Sequence, residues 1–325
     1  MRGNWHGRTV LITGVCGTVG RELLRQTVAL APAEIIGLDN NESELFFLTE
    51  EYSHNPSVQL FLGDLRDREA LCDKMRGIDI VLHDAATLHG AKRVLFTSSD
   101  KAVNPTNVMG TSKLMAERLM SANNAMRRAD GPIFASTRFG NVLGSRGSVI
   151  PLFKRQIAAG GPVTITDEGM TRFIMTLEEA VRLVITSAFL AHGGEVFVTK
   201  MPVLKIIDLA EVMIEELAGA YGFRPEDIPI EIVGSRPGEK LYEELLNDEE
   251  IRRTIQTEDF FVILPALKPQ YEMVQYAYLG MIERKVDEPY NSALTPAMSK
   301  EEVRGYLLRN DLLYLSPEEE QRICA

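Results

Sequence analysis

The run Thr13-Gly14-Val15-Cys16-Gly17-Thr18-Val19-Gly20 holds three glycines spaced to cradle a phosphate group. In such a loop Gly14 permits the tight turn, Gly17 lets the backbone approach a pyrophosphate, and Gly20 lets the following helix pack closely on its strand. Thr18 and Val19 open that helix, whose N-terminal amides and positive dipole end receive the phosphates. Asp39 follows roughly twenty residues after the loop, where an acid accepts hydrogen bonds from an adenosine ribose diol. The same carboxylate repels a 2′-phosphate, and the neighbours Asn40, Asn41 and Glu42 include no arginine to reverse that. The expected cofactor is therefore NAD rather than NADP. Asp64, in Gly63-Asp64-Leu65-Arg66-Asp67, stands either at the adenine edge, with Leu65 beside it as a cofactor contact, or as a helix cap.

A second run, Ser98-Ser99-Asp100-Lys101, is followed by Asn104-Pro105-Thr106-Asn107-Val108-Met109-Gly110-Thr111-Ser112-Lys113. A hydroxyl, a carboxyl group and two amines are the groups from which acid–base catalysis is built.

The pattern around these residues alternates strand-like and helix-like runs: Thr9–Thr13, a helix to residue 30, Glu34–Asp39, a helix from residue 42, and a strand at 58–64. It continues with a helix at 68–75, strands at 78–83 and 93–98, a helix at 107–126 and a strand at 133–138. That rhythm predicts βαβ units, hence an α/β protein whose residues 1–140 form a doubly wound, parallel Rossmann domain. Ligands of such sheets sit at the carboxyl ends of the strands, which puts Ser99, Asp100, Lys101 and Lys113 beside nicotinamide and substrate. Beyond Gly140 the pattern loosens into a glycine-rich loop, a helix at 149–159 and short strands. Residues 141–325 are expected to form a smaller α/β substrate-binding part, with some elements returning to the first sheet. No Pro- or Ser-rich linker divides the halves, so a shared interface is expected.

One connection breaks the rhythm. Only nine residues separate His83 from Arg93, whereas a crossover between parallel strands takes a dozen or more and usually a helix. Either these strands are not parallel neighbours, or a helical crossover of roughly 30 residues is absent near residues 87–88. The second is expected, with a break in the backbone between Ala86 and Ala91.

Composition narrows the partners. With 46 acidic against 35 basic residues, no diffuse positive field is available for nucleic acid or anionic lipid, and an anionic ligand must be held by a local cluster. Cys16, Cys72 and Cys324 lie far apart without a CxxC spacing, which argues for a reduced compartment and against disulfides and thiolate metal sites. Five scattered histidines suggest no metal centre. The start of the chain has no apolar signal core, and the most apolar helical stretch, 181–191, is too short to span a bilayer. A cytoplasmic homo-oligomer without membrane span is the expectation.

The Ser99, Asp100, Lys101 and Lys113 constellation resembles the extended short-chain dehydrogenases/reductases, in which a Ser or Thr and a YxxxK pair serve hydride transfer. Within them the chain resembles the UDP-N-acetylglucosamine 4,6-dehydratases of bacterial capsule, polysaccharide and flagellin-sugar synthesis, marked by an adjacent Asp-Lys pair. Residues 138–148, Arg-Phe-Gly-Asn-Val-Leu-Gly-Ser-Arg-Gly-Ser, match that family's RxGNVxGSRGS loop; residues 167–174, Asp-Glu-Gly-Met-Thr-Arg-Phe-Ile, fall on its ITDxxMTRF segment from the Asp onward, and Arg236-Pro237-Gly238-Glu239-Lys240 matches RPGEK. Relatives carry a helical segment between the stretch His83-Asp84-Ala85-Ala86 and the Asp-Lys strand. One position departs: YxxxK reads Met109-Gly110-Thr111-Ser112-Lys113, and a thioether cannot do acid–base work. A branch of large membrane-anchored capsule and lipopolysaccharide enzymes has Met there and is active; this chain resembles it in the Met but lacks its spans.

The resemblance implies that a UDP-N-acetylhexosamine, first of all UDP-N-acetylglucosamine, is oxidised at C4, loses water across C5 and C6, and is reduced at C6. Lys101 is implied as the C5 base, which requires a lowered pKa, and Asp100 as the acid at the C6 hydroxyl. Ser99 would bond the C4 oxygen, and Lys113 would hold the nicotinamide ribose. Asn141 is implied at the phosphate or sugar, Val142 at the cofactor, and Arg172 and Arg236 as bidentate clamps on the diphosphate. Glu239 would meet a ribose hydroxyl or orient an arginine. Arg146 and Lys154 stand either as further anion contacts or as solvated charges. Two rivals remain: a nucleotide-sugar 4-epimerase, which needs neither C5 base nor C6 acid, and a dinucleotide-binding sensor without turnover, which Met109 favours.

Overall fold

The computed structural model describes residues 5–64, 66–67, 77–83, 91–127, 131–145, 148–234, 238–266, 274–282 and 286–314. The chain divides into two compact units, the first made of Met1–Phe139, Glu178–Lys200 and Asn247–Pro289, the second of Gly140–Leu177, Met201–Leu246 and Tyr290–Ala325.

In the first unit, strands β1 (Thr9–Thr13), β2 (Glu34–Asp39), β3 (Val58–Leu62), β4 (Ile80–His83), β5 (Arg93–Ser99) and β6 (Ile133–Phe139) alternate with helices α1 (Thr18–Ala29), α2 (Glu42–Tyr52) and α3 (Val108–Met126). The strands lie in the order β3-β2-β1-β4-β5-β6, every pair parallel. This is the Rossmann arrangement, and the order reverses between β1 and β4, the switch point at whose carboxyl ends such sheets bind their ligands. Parallel strands covered on both faces read as unbroken apolar runs, as Val10, Leu11 and Ile12 do; all three are fully buried. Beyond β6 the sheet adds a parallel strand, Val196–Thr199, then antiparallel Phe260–Ile263, Thr254–Thr257 and Met281–Ile282. Side chains cap both α2 and α3: Asn41 Oδ1 accepts from Glu44 N at 3.2 Å, and Asn107 Oδ1 accepts from Gly110 N at 2.9 Å.

Strands β4 and β5 are parallel neighbours, in register from Ile80 opposite Arg93 to His83 opposite Phe96. The alternative that they are not adjacent is thereby removed, and nine residues connect them. The break expected between Ala86 and Ala91 and the helix expected at 68–75 lie outside the described residues.

The second unit holds a three-stranded sheet of Val203–Lys205, Thr171–Met175 and Asn141–Val142, and two strand pairs, Ile230–Ile232 with Val163–Ile165 and Glu244–Leu246 with Tyr290–Asn291. Its core gathers Phe153 and Ile157 of Val149–Ala158, Leu209, Val212 and Met213 of Ile206–Leu217, and Leu307 of Lys300–Arg309. Among the described residues no helix is long and apolar enough to cross a membrane.

Candidate active site

At the end of β1 the chain turns at Gly14, whose φ of 66° is one that glycine adopts at no steric cost. Gly17 N donates to Gly14 O at 3.0 Å, and α1 begins at the next residue without a side-chain cap, leaving its first amides for a ligand. A Cβ at Gly20 would lie 2.0 Å from Gly14 O and 2.8 Å from Val15 Cα, so α1 meets the loop only because no side chain intervenes. At Gly17 the same addition would come to 3.2 Å from Gly14 O, a tight contact that a shift of a few tenths of an ångström would relieve. Thr18 and Val19 form the first turn of α1.

Asp39, the last residue of β2, fastens this loop: Oδ2 accepts from Cys16 N at 2.8 Å and Oδ1 from Asn41 N at 3.0 Å. Each oxygen keeps a lone pair for a ribose hydroxyl. The Cys16 thiol is pushed up to about 11 by burial and then by the Asp39 carboxylate, so it stays protonated and unreactive at neutral pH. Asp64 is engaged by its own turn; hydrogen bonds from the Arg66 side chain, then from Arg66 N, hold its carboxyl down at about 2. Leu65 lies outside the described residues.

Ser99 ends β5, and its Oγ accepts from Lys101 N at 3.3 Å, capping the single turn Asp100–Ala102. That turn folds Lys101 back over its neighbour, with Nζ 3.1 Å from Asp100 Oδ1 and 3.4 Å from Oδ2. The Asp100 side chain is 1% exposed and that of Lys101 38%, so the carboxylate is enclosed while the amine reaches solvent. Helix α3 packs onto this turn at Gly110, where a Cβ would lie 2.3 Å from Lys101 O. A glycine inside a helical pattern was the one sign of that contact. Lys113, on the next turn, donates from Nζ to Thr97 O at 3.2 Å and stands 5.1 Å from the Phe96 ring centroid. Met109 is 57% exposed in the first turn of α3, beside these groups in sequence but without a proton to give.

A buried network not anticipated from the sequence lies next to them. Arg138 of β6 donates from Nε and Nη2 to Glu117 Oε1 and Oε2 at 3.1 and 2.6 Å, and from Nη1 and Nη2 to Glu250 Oε2 and Oε1 at 3.0 Å each. Burial disfavours the guanidinium charge, yet the carboxylates of Glu117 and Glu250 outweigh it and push the Arg138 pKa up. The readable sign was an arginine within the apolar strand Ile-Phe-Ala-Ser-Thr-Arg-Phe, since a buried charge demands a partner.

In the second unit Asn141 Nδ2 donates to Phe173 O at 3.4 Å, and Val142 pairs with Met175 across the strands. Arg172, expected as a diphosphate clamp, is engaged with its own chain. Its Nη1 donates to Thr171 O and Leu241 O at 2.7 and 3.2 Å, its Nη2 to Lys240 O at 2.8 Å, and its Nε faces Glu243 Oε1 at 3.5 Å. Only 11% of the side chain is exposed, so the guanidinium ties 240–243 to its strand. Glu239, just before that segment, is exposed. Lys154 is buried with Nζ donating to Tyr314 O at 2.9 Å, which rules out a solvated surface charge. Arg146 and Arg236 lie outside the described residues.

Residues 10–90 and 84–265 match the family described as polysaccharide biosynthesis protein. The chain belongs to that family. Within and around it, a Methanocaldococcus jannaschii protein described as an uncharacterized membrane protein is 41% identical over 92% of this chain and 95% of its own length. A UDP-N-acetylglucosamine 4,6-dehydratase (inverting) of Campylobacter jejuni is 33% identical over 81% of this chain and 85% of the relative. A UDP-glucose 4-epimerase of Rickettsia bellii is 32% identical over 94% of this chain and 96% of the relative. Among solved structures, Pen from Bacillus thuringiensis superposes with a TM-score of 0.85 at 36% identity, covering 95% of this chain and 99% of that one. The two family segments meet in the short β4–β5 connection. The Methanocaldococcus alignment has 329 positions for 92% of 325 residues, about 299, so about 30 positions of it have no counterpart here.

Proposed function

We propose that the chain is an NAD-dependent nucleotide-sugar 4,6-dehydratase acting on a UDP-N-acetylhexosamine, with UDP-N-acetylglucosamine as the first candidate. The observation that carries this reading is the enclosed Asp100 carboxyl 3.1 Å from Lys101 Nζ at the carboxyl end of β5. Elimination across C5 and C6 needs a base and an acid together. A proton passed from Nζ to Oδ1 across that contact yields both at once, a neutral amine and a neutral carboxylic acid. The amine then takes the C5 proton; the electrons of that bond form the C5–C6 double bond, and the acid protonates the departing C6 hydroxyl, which leaves as water. The pair then stands as ammonium and carboxylate; when hydride returns to C6 the ammonium gives its proton back to C5, and the proton released from the C4 hydroxyl restores the starting pair for the next cycle. Ser99 Oγ would bond the C4 oxygen, while the C4 hydroxyl proton, with Met109 mute, passes to Lys101, Asp100 or a water.

Bound NAD would accept the C4 hydrogen and return it at C6. The first unit fits such a group: an uncapped helix start behind the glycine loop for the pyrophosphate, and Asp39 for the ribose. Gly14, Gly17, Thr18, Val19 and Gly20 would line the phosphates and Lys113 the nicotinamide ribose, with Asp64 and Val142 as further cofactor contacts. Parent protein should bind NAD at least about tenfold tighter than NADP, or ~1.4 kcal/mol. Asp39→Ala should narrow that ratio, and should also weaken NAD because the brace on Cys16 N is lost. Equal affinities in the parent protein would show that Asp39 does not read the ribose.

On the substrate side, Arg172 acts by holding 240–243 in place, so that the neighbouring Glu239 and Arg236, together with Asn141 and Arg146, meet the UDP-sugar. We also infer that the chain lacks one helical crossover between β4 and β5 relative to its homologues; the 30 unmatched positions support this. The second reading, a 4-epimerase, is favoured by the Rickettsia relative. Incubation with UDP-N-acetylglucosamine, followed by proton NMR, separates the readings. A C6 methyl signal with a 4-keto carbon supports the dehydratase; a sugar inverted at C4 with its C6 hydroxyl intact supports the epimerase. Unchanged substrate would leave a sensor that binds dinucleotide without turnover.

A further inference from the structure

A buried ion network is weak evidence for stability, because apolar residues of the same volume do as well or better; what it supplies is fixed geometry. The Arg138 fork, 1% exposed, grips one carboxylate on α3 and another on Asp248–Ile251. Glu117 lies one helical turn beyond Lys113, and their side chains share a face of α3. Arg138 stands opposite Ser98 in the parallel register of β5 and β6, one residue short of Ser99. It is also the residue before Phe139, where the chain first leaves the first unit, and Glu250 comes three residues after Asn247, where it returns for the second time. Glu250 is itself pinned, since it closes a capping box with Asn247. One planar group therefore sets the height and rotation of α3 against the ends of β5 and β6.

We propose that Arg138, held by Glu117 and Glu250, is a positioning residue that fixes the Lys113 ammonium for the cofactor. The bidentate Glu117 contact resists both sliding and rotation of α3, the Glu250 contact holds the fork itself in place, and Lys113 has one turn of helix between itself and that anchor. The proposal rests on the reading of Lys113 as the residue that holds the nicotinamide ribose, and its test separates the two.

The experiment is a double-mutant cycle on NAD affinity, measured by titration calorimetry without substrate, using Glu117→Gln, Lys113→Met and the pair together, with the melting temperature of each. Glu117→Gln keeps the shape of the side chain but removes the charge that aligns the fork. Lys113→Met should weaken NAD about tenfold, Glu117→Gln by a similar factor, and the double variant no further than Lys113→Met alone. An anchor that only stabilises the fold predicts otherwise: a lower melting temperature with parent affinity for Glu117→Gln, or effects that multiply in the double variant. Either result overturns the proposal while leaving the Lys113 reading intact. Parent affinity in Lys113→Met overturns both. If Glu117→Gln does not fold, Glu250→Gln, which keeps the Glu117 contact, carries the same cycle with the same outcomes.

Discussion

In deuterated water, the product formed from UDP-N-acetylglucosamine should be a 4-keto-6-deoxy sugar bearing deuterium at C5, with the original C4 hydrogen in its C6 methyl group. On the proposed mechanism the C5 proton would pass to Lys101 Nζ, which exchanges with solvent through its 38% exposed side chain, whereas the C4 hydrogen would never meet water. Substrate labelled at C4 makes the second half of this pattern visible. Lys101→Ala should lower the rate of elimination about 10²- to 10⁴-fold, the range of a positioned general base. That variant also leaves the enclosed Asp100 carboxylate without its cation, so a loss of activity could come from a disturbed turn. Lys101→Arg separates the effects: a guanidinium keeps the ion pair but does not lose a proton at working pH. It should retain NAD affinity and melting temperature and still fail to eliminate. Parent-like turnover by Lys101→Arg would mean that Lys101 is not the base. An unlabelled C5 in the product would remove the C5 proton transfer altogether.

Gly20→Ala should disable the cofactor site without touching a proton-transfer group. The added Cβ would sit 2.0 Å from Gly14 O and 2.8 Å from Gly14 C and Val15 Cα, all backbone atoms with no rotamer to yield. The loop or the start of α1 must move, at a cost of about 1–3 kcal/mol or more for an overpacked site. We expect a melting temperature several degrees lower even without cofactor, and NAD binding weakened by more than about tenfold. Gly17→Ala, with a single 3.2 Å contact to Gly14 O, should melt close to the parent protein and lose affinity chiefly where the pyrophosphate approaches. If Gly20→Ala melts and binds like the parent, the packing account of the third glycine fails.

Much of this was legible in the residues because it depends on neighbours in the chain. The strands Thr9–Thr13 and Glu34–Asp39 follow from short apolar runs ended by turn residues, and α1 follows from the glycine loop that opens it. The Asp100–Lys101 pair and the Ser99 cap join residues one and two apart, so their types and order nearly suffice to specify the contact. Wherever a side chain could choose among distant partners, the tertiary structure decided. Arg172 reads as a phosphate clamp, and only the fold shows that carbonyls 68 and 69 residues away are brought to its guanidinium. Arg138 reads as one residue of a loop motif until Glu117 and Glu250, 21 and 112 residues distant, close on it from two directions. The pairing of β4 with β5 against the shortness of their connection is likewise a property of the assembled sheet. Local pattern sets which backbone conformation is cheap, through propensity and burial period. Burial then removes water as the competing partner, so each enclosed charge must find its counterion wherever the fold has carried one, and no spacing in the sequence records that distance.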